Sequence, residues 1–170
     1  MGKGKNKRPV LKVQWTELHI IMIVFGIIGI AVMSGAVLLY WPELPARIPT
    51  HFGFSGEADA WGDKAALIYV TLVAAGLFVM MLVLSRFPHG FNYPVAITEE
   101  NAEVQYRMAT NLILGMGTGT VWLFVYICLQ MIRTALGQVQ GLGSIFLIVV
   151  LVLSLGGLIG YVILAVRRAH

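Results

Sequence analysis

The sequence predicts an all-α protein, a bundle of four transmembrane helices with a structured loop between the first two. Two observations predict it. The chain of 170 residues is 58% hydrophobic and only 12% charged, against about 25% charged for an ordinary soluble domain. Its apolar residues also come in four blocks, Ile20–Tyr40, Ala65–Ser85, Met108–Ile132 and Ser144–Val166, none holding Asp, Glu, Lys or Arg. Each is close to the ~20 residues a helix needs to cross hydrocarbon. In lipid only helices and closed barrels satisfy every backbone group, and these blocks lack the polar–apolar alternation of a barrel strand.

The first block is expected to persist as a membrane helix rather than a cleaved signal. Its run exceeds the roughly 7–15 apolar residues of a signal core, and Tyr40-Trp41-Pro42 reads as an interfacial belt and a helix stop. The expected spans are 19–41, 65–85, 107–132 and 144–166. Residues 1–18 form a basic cytoplasmic tail, and 19–170 one transmembrane domain, with an outward loop at 42–64 and a cytoplasmic loop at 86–106. The tail, the second loop and the C-terminus carry nine of the twelve basic residues: Lys3, Lys5, Lys7, Arg8, Lys12, Arg86, Arg107, Arg167 and Arg168. The first and third loops hold Arg47, Lys64 and Arg133. The positive-inside rule then places both termini in the cytoplasm. The basic tail fits anionic lipid better than nucleic acid, because it has no aromatic interleaving and no recognition fold.

In the second loop, two prolines and a glycine keep Phe87–Pro94 out of helix. Thr98 is placed to cap a helix whose first turn holds Glu99 and Glu100, acids favoured there by the helix dipole. That helix would run on through Tyr106 into the third span. Asn92, Tyr93, Glu99, Glu100 and Tyr106 would form a surface for a cytoplasmic protein partner. The third loop, 133–143, reads as a plain connector. Gly115/Gly119 and Gly156/Gly160 have the small-xxx-small spacing that lets helices approach, within one chain or in a homo-oligomer. Gly-Met-Gly-Thr-Gly at 115–119 has no preceding strand and is not a nucleotide loop. Apart from Arg107 at the edge of the third, no span holds Asp, Glu, Lys or Arg, which disfavours an ion-coupled carrier. Asn111, Thr118, Thr120 and Gln130 are left to hydrogen-bond between helices. A solute transporter lined by the third span stays an alternative. The single cysteine, Cys128, permits no internal disulfide.

The first loop carries the most pattern. Pro42, Pro45 and Pro49 keep its first half extended. Ile48–Phe54 is a candidate strand, Ser55-Gly56-Glu57 a turn, and Asp59–Gly62 a second turn, with Asp63 or Gly62 capping the second span. Leu44-Pro45, Ile48-Pro49, His51-Phe52, Gly56, Asp59, Trp61-Gly62 and Lys64 resemble the DUF1648 family of bacterial membrane proteins. That domain also forms the N-terminal part of SdpI-type immunity proteins, which protect a cell against a secreted toxin. Asn92-Tyr93-Pro94, Ile97–Ala102 and Gln105-Tyr106 are similar to some members, so the resemblance covers about the first 110 residues. It implies a non-enzymatic protein of the bacterial cytoplasmic membrane. Peptide or small-ligand binding, immunity or signalling would run through the outward loop residues His51, Phe52, Gly56, Glu57, Asp59, Trp61, Gly62 and Lys64.

A second reading comes from donor chemistry. His51, Glu57 and Asp59 sit on opposite arms of a turn and would suit a divalent metal, Zn²⁺ or Mn²⁺, if they converged. With a bound metal activating water they would make a membrane hydrolase. The simpler expectation is that they fold the loop.

Overall fold

The computed structural model describes residues 8–169. Lys3, Lys5 and Lys7 of the basic tail lie outside the described residues. The order is α1 (Glu17–Tyr40), β1 (Arg47–Phe52), β2 (Ala58–Asp63), α2 (Ala66–Leu84), a 3-10 turn at Pro88–Gly90, α3 (Ala102–Ala135) and α4 (Phe146–Arg167). All four helices are long and apolar enough to cross a membrane. Their many exposed leucines, isoleucines and valines are what a surface facing lipid requires. The chain is a multi-pass membrane protein with a small two-stranded hairpin between its first two helices.

The starts of the first three helices follow from residues beside them. Thr16 caps α1 in a reciprocal box: His19 N–H donates to Thr16 Oγ1 and Thr16 N–H to His19 Nδ1, so two orphan donors are satisfied. Asp63 Oδ1 accepts from Ala65 N–H at 2.7 Å, leading the chain into α2. Before α3, Thr98 Oγ1 accepts from Asn101 N–H, Asn101 Oδ1 accepts from Thr98 N–H, and Ala102 N–H donates to the Thr98 carbonyl. The expected cap is there, but Glu99 and Glu100 form a turn and regular helix begins at Ala102.

α3 is the central helix. Most of its buried residues face α1 and α2, and the core joins Met33 and Val37 of α1, Phe78 of α2, and Val121, Cys128 and Ile132 of α3. Leu44 and Ile48 extend this core into the hairpin. The polar residues of α3 fasten it to its neighbours. Thr118 Oγ1 donates to the Met22 carbonyl and Trp122 Nε1 to the Phe25 carbonyl.

α4 is different. It packs chiefly on α3, and Ala165 is its one buried residue. Its last carbonyls, orphaned at any helix end, are reached by α3: Gln105 Nε2 donates to Ala165 and Arg168 carbonyls, and Asn101 Nδ2 to that of Ala169.

Close helix approach does not use the expected glycines. A Cβ on Gly119, Gly156 or Gly160 would meet nothing within 4 Å, and one on Gly115 only Met22 Sδ at 3.9 Å. The tight points are Gly26 of α1 against the Phe78 ring, Gly29 against Val121 Cγ1 at 2.6 Å, and Gly117 against Met81 Cβ at 2.9 Å. The reason is that α3 turns its buried face toward α1 and α2, leaving Gly115 and Gly119 on the side of α4.

The second-loop surface also differs from expectation. Tyr106 is fully buried, its hydroxyl donating to the Pro9 carbonyl. Tyr93 packs against it at 5.6 Å between centroids and donates to the Pro88 carbonyl. Burial, then the nearby Tyr161 and Tyr106, push the Tyr93 phenol above its ordinary range. Only Asn92, Glu99 and Glu100 of that set are exposed. Tyr93 and Tyr106 turn inward because the segment before α1 folds over them: Arg8 donates to the Phe91 carbonyl and lies over the Tyr93 ring. Arg86 stacks on Trp15 at 3.4 Å.

Candidate functional site

β1 and β2 pair antiparallel, with Ile48 opposite Gly62, Pro49 opposite Trp61 and Phe52 opposite Ala58, and irregular register around His51. Asp59–Gly62, expected as a second turn, is instead the middle of β2. Its backbone is claimed by β1 across the hairpin, and long-range pairing of this kind overrides local turn preference. Thr50 approaches Gly62 so closely that a Cβ there would meet its Cγ2 at 2.9 Å.

Ile48 and Pro49 are buried and β1 lies against α3. β2 is mostly exposed, and among the described residues the sheet has two strands, so none of them pairs with the outer edge of β2. From β1, Arg47 Nη2 donates to the Trp61 carbonyl of β2 at 2.8 Å. Lys64 closes the base, its ammonium 4.8 Å above the Trp41 ring and donating to the Trp41 carbonyl.

The tip is held by backbone. Gly53 N–H donates to Glu57 O and Gly56 N–H to Gly53 O. Gly56 has φ +83°, a left-handed conformation that favours glycine. Its carbonyl accepts from Leu142 N–H at 2.7 Å, and Glu57 bridges Gly141. The third loop, expected as a plain connector, is therefore the other half of this structure. α3 fixes it in turn: Gln130 Nε2 donates to the Gly141 carbonyl and Tyr126 OH to the Leu142 carbonyl. This pairing had a weak signal in the glycines at 137, 141 and 143, but one sequence does not say which loop they meet.

His51 and Asp59 do come together. The imidazole Nδ1–H donates to Asp59 Oδ1 at 2.6 Å, because an ionised carboxylate only accepts. Glu57 does not join them, and no group of three His, Cys, Asp or Glu placed to hold a metal exists among the described residues. A catalytic zinc site needs three protein ligands besides its water, so the residues present do not fit the metal reading. Glu57 lies at the tip, where its backbone closes the turn and bridges Gly141. Both side chains of the pair are more than half exposed, and exposed pairs contribute about 0–1 kcal/mol. His51→Ala should therefore lower the melting temperature by no more than about 3 °C. Thermal unfolding in detergent checks this, and a larger fall would give the pair a structural role this geometry does not.

What the hairpin presents is aromatic and polar together. Phe54 at the tip is 93% exposed and Trp61 44%, beside the His51–Asp59 pair. Phe52 instead packs partly into the core.

A buried polar pair lies at the other end of the bundle. His19, fully buried in the first turn of α1, meets Asn111 of α3, Nε2 to Oδ1, at 2.6 Å. A search for Asp, Glu, Lys and Arg in the spans passes over histidine. Thr16-x-x-His19 was the local signal, and Asn111 does hydrogen-bond between helices as expected, but nothing in the sequence pairs these two residues 92 positions apart.

Residues 20–76 match the family described as a domain of unknown function, DUF1648, a stretch that takes in most of α1, the hairpin and half of α2. An uncharacterized protein of Archaeoglobus fulgidus is 30% identical over 77 residues, covering 41% of this chain and 42% of that protein. The chain is thus matched to less than half the length of that relative. No solved structure matches.

Proposed function

We propose that this protein is a non-enzymatic receptor of the cytoplasmic membrane, with both termini inside, whose outward hairpin binds an extended peptide along β2. The observation that carries the reading is the free edge of β2 on a hairpin whose other edge is closed. An added strand gains main-chain hydrogen bonds from such an edge, and neighbouring side chains supply selectivity. β1 offers no equivalent, since Pro49 has no N–H and its strand is packed on α3. Arg47 covers the Trp61 carbonyl, in the way natural edges are guarded, and a bound strand would take its place. The loop holds Glu43, Glu57, Asp59 and Asp63 against Arg47 and Lys64, which favours a basic peptide. Phe54 and Trp61 provide apolar anchors. Because the tip is tied to the α3–α4 loop, little ordering is needed on binding, which favours affinity. Resemblance to SdpI-type immunity proteins supports a secreted peptide as the class of ligand.

Two measurements test this. Phe54→Cys should react with a membrane-impermeant maleimide on intact cells, the native Cys128 being buried; reaction only after lysis would reverse the orientation. In nanodiscs, a panel of basic, apolar-rich peptides should include members that slow amide exchange across residues 58–63, with at least tenfold weaker effect in Trp61→Ala. No protection of β2 by any member would overturn the reading.

A further inference from the structure

α3 and α4 are fastened at both ends and part between them. The cleft there has a volume of about 610 Å³, within the 300–1,000 Å³ range of small-molecule sites. Leu112, Gly115, Met116, Gly119, Leu153 and Gly157 line most of it. It exists because the glycines leave room: a Cβ on Gly119 or Gly157 would still meet nothing within 4 Å. At one end stands Asn111.

Hydrogen-bond logic fixes what Asn111 offers. Thr16 N–H donates to His19 Nδ1, so that nitrogen carries a lone pair and the ring proton sits on Nε2. Nε2–H then donates to Asn111, and the atom facing it must be the acceptor Oδ1. The buried imidazole holds the amide in one orientation, and its two Nδ2 hydrogens remain to be given away. Position supplies the second constraint. His19 is in the first turn of α1, so Asn111 lies level with the end of a membrane span, where lipid ester carbonyls sit. From Asn111 to Leu123 the cleft runs about 18 Å along α3 at 1.5 Å per residue, close to half of a hydrocarbon core of about 30 Å.

We infer that the α3–α4 cleft binds one acyl chain of a membrane glycerolipid, with the chain's ester carbonyl accepting from Asn111 Nδ2. The apolar walls take the hydrocarbon. Asn111 sets the chain's depth, and His19 acts as a positioning residue through it.

The test uses the full chain in nanodiscs of phosphatidylglycerol and phosphatidylcholine carrying a trace of phosphatidylcholine with a diazirine on its sn-2 chain. After irradiation, adducts are mapped by mass spectrometry. Met116 and Leu153 should be labelled at least fivefold more than Leu72 and Val79, exposed on α2. Gly115→Leu/Gly119→Leu fills the cleft from positions with open space and should abolish the enrichment without changing labelling of α2. Asn111→Leu should reduce it severalfold and shift the adducts along α3, a change of depth that a purely structural role would not give. Equal labelling of the cleft and α2 would overturn the inference in favour of annular lipid only. Labelling by a free diazirine fatty acid but not by the phospholipid would overturn the ester in favour of a carboxylate. An unlabelled cleft with chain-to-chain crosslinks through Met116→Cys would overturn it in favour of a second copy.

Discussion

Gly56→Ala is expected to detach the hairpin from the α3–α4 loop and to destabilise the protein by about 2–4 kcal/mol. Two terms add. Forcing an L residue into the left-handed region costs roughly 1–2 kcal/mol, and Gly56 sits there at φ +83°. The new Cβ would also lie 2.5 Å from the Gly143 carbonyl oxygen and 2.8 Å from its carbon. These are backbone atoms that no rotamer change can move. A natural control separates the terms: Gly137 has φ +71° but nothing within 4 Å of its Cβ position, so Gly137→Ala should show the conformational cost alone. Gly141→Ala should behave like Gly56→Ala, because its Cβ would strike the Gly56 carbonyl. Melting in detergent measures the cost, and amide exchange at Gly56 and Leu142 locates it. Equal losses for Gly56→Ala and Gly137→Ala would mean that the two loops are not in contact.

The second large effect is expected at Gly26. On its helix, Gly26 and Gly29 are one turn apart and face α2 and α3 respectively, so α1 is held by backbone close to both partners. Alanine is intrinsically the better helix former by about 1 kcal/mol, which alone would make Gly26→Ala stabilising. The Phe78 ring occupies the space the methyl would take, and overpacking costs typically 1–3 kcal/mol or more. The ring is 3% exposed and has nowhere to go, so the steric term wins. A net loss of about 2 kcal/mol is expected, together with a weakened α1–α2 contact. Gly26→Ala/Phe78→Leu should recover part of it, since contacting residues are non-additive. Gly156→Ala and Gly160→Ala, with open space around them, should keep the propensity gain and stabilise by up to about 1 kcal/mol. If all three glycine variants melt alike, the close approach at Phe78 is absent.

Much of the architecture was legible because lipid imposes strong rules. Charge-free blocks of about 20 residues have one regular solution, and the expected spans fall within a few residues of α1, α2 and α4. α3 runs further on both sides, since propensity and capping extend a helix without regard to hydrocarbon thickness. The hairpin was half legible. Ile48–Phe54 reads as a strand on its own residues, but Asp59-Ala60-Trp61-Gly62 has turn composition and becomes a strand only by pairing with Ile48 and Pro49. Contact partners were least legible. Small-xxx-small spacing marks Gly115/Gly119 and Gly156/Gly160 as faces that permit approach, whereas Gly26 and Gly29, three apart, carry no such mark, and which face is used depends on where Phe78 and Val121 arrive from other helices. The His51–Asp59 pair was within reach of the sequence because both lie on one hairpin. His19–Asn111 was not, because its partners belong to helices separated by the whole of the hairpin and α2.

The way α4 is fastened has a mechanical consequence. Tyr126 and Gln130 grip the loop just before its first turn, and Tyr126 stacks on Phe146 at 5.2 Å between centroids. Gln105 and Asn101 grip its last carbonyls. Between these two clamps no side-chain hydrogen bond among the described residues ties it to α3. A rod pinned at both ends and free in the middle bends before it slides or rotates, and long helices accept gentle curvature at little cost. α4 is therefore strung like a bow against α3. The easiest deformation of the bundle is a change in the depth of that bow, which alters the width of the gap while every terminal bond stays made.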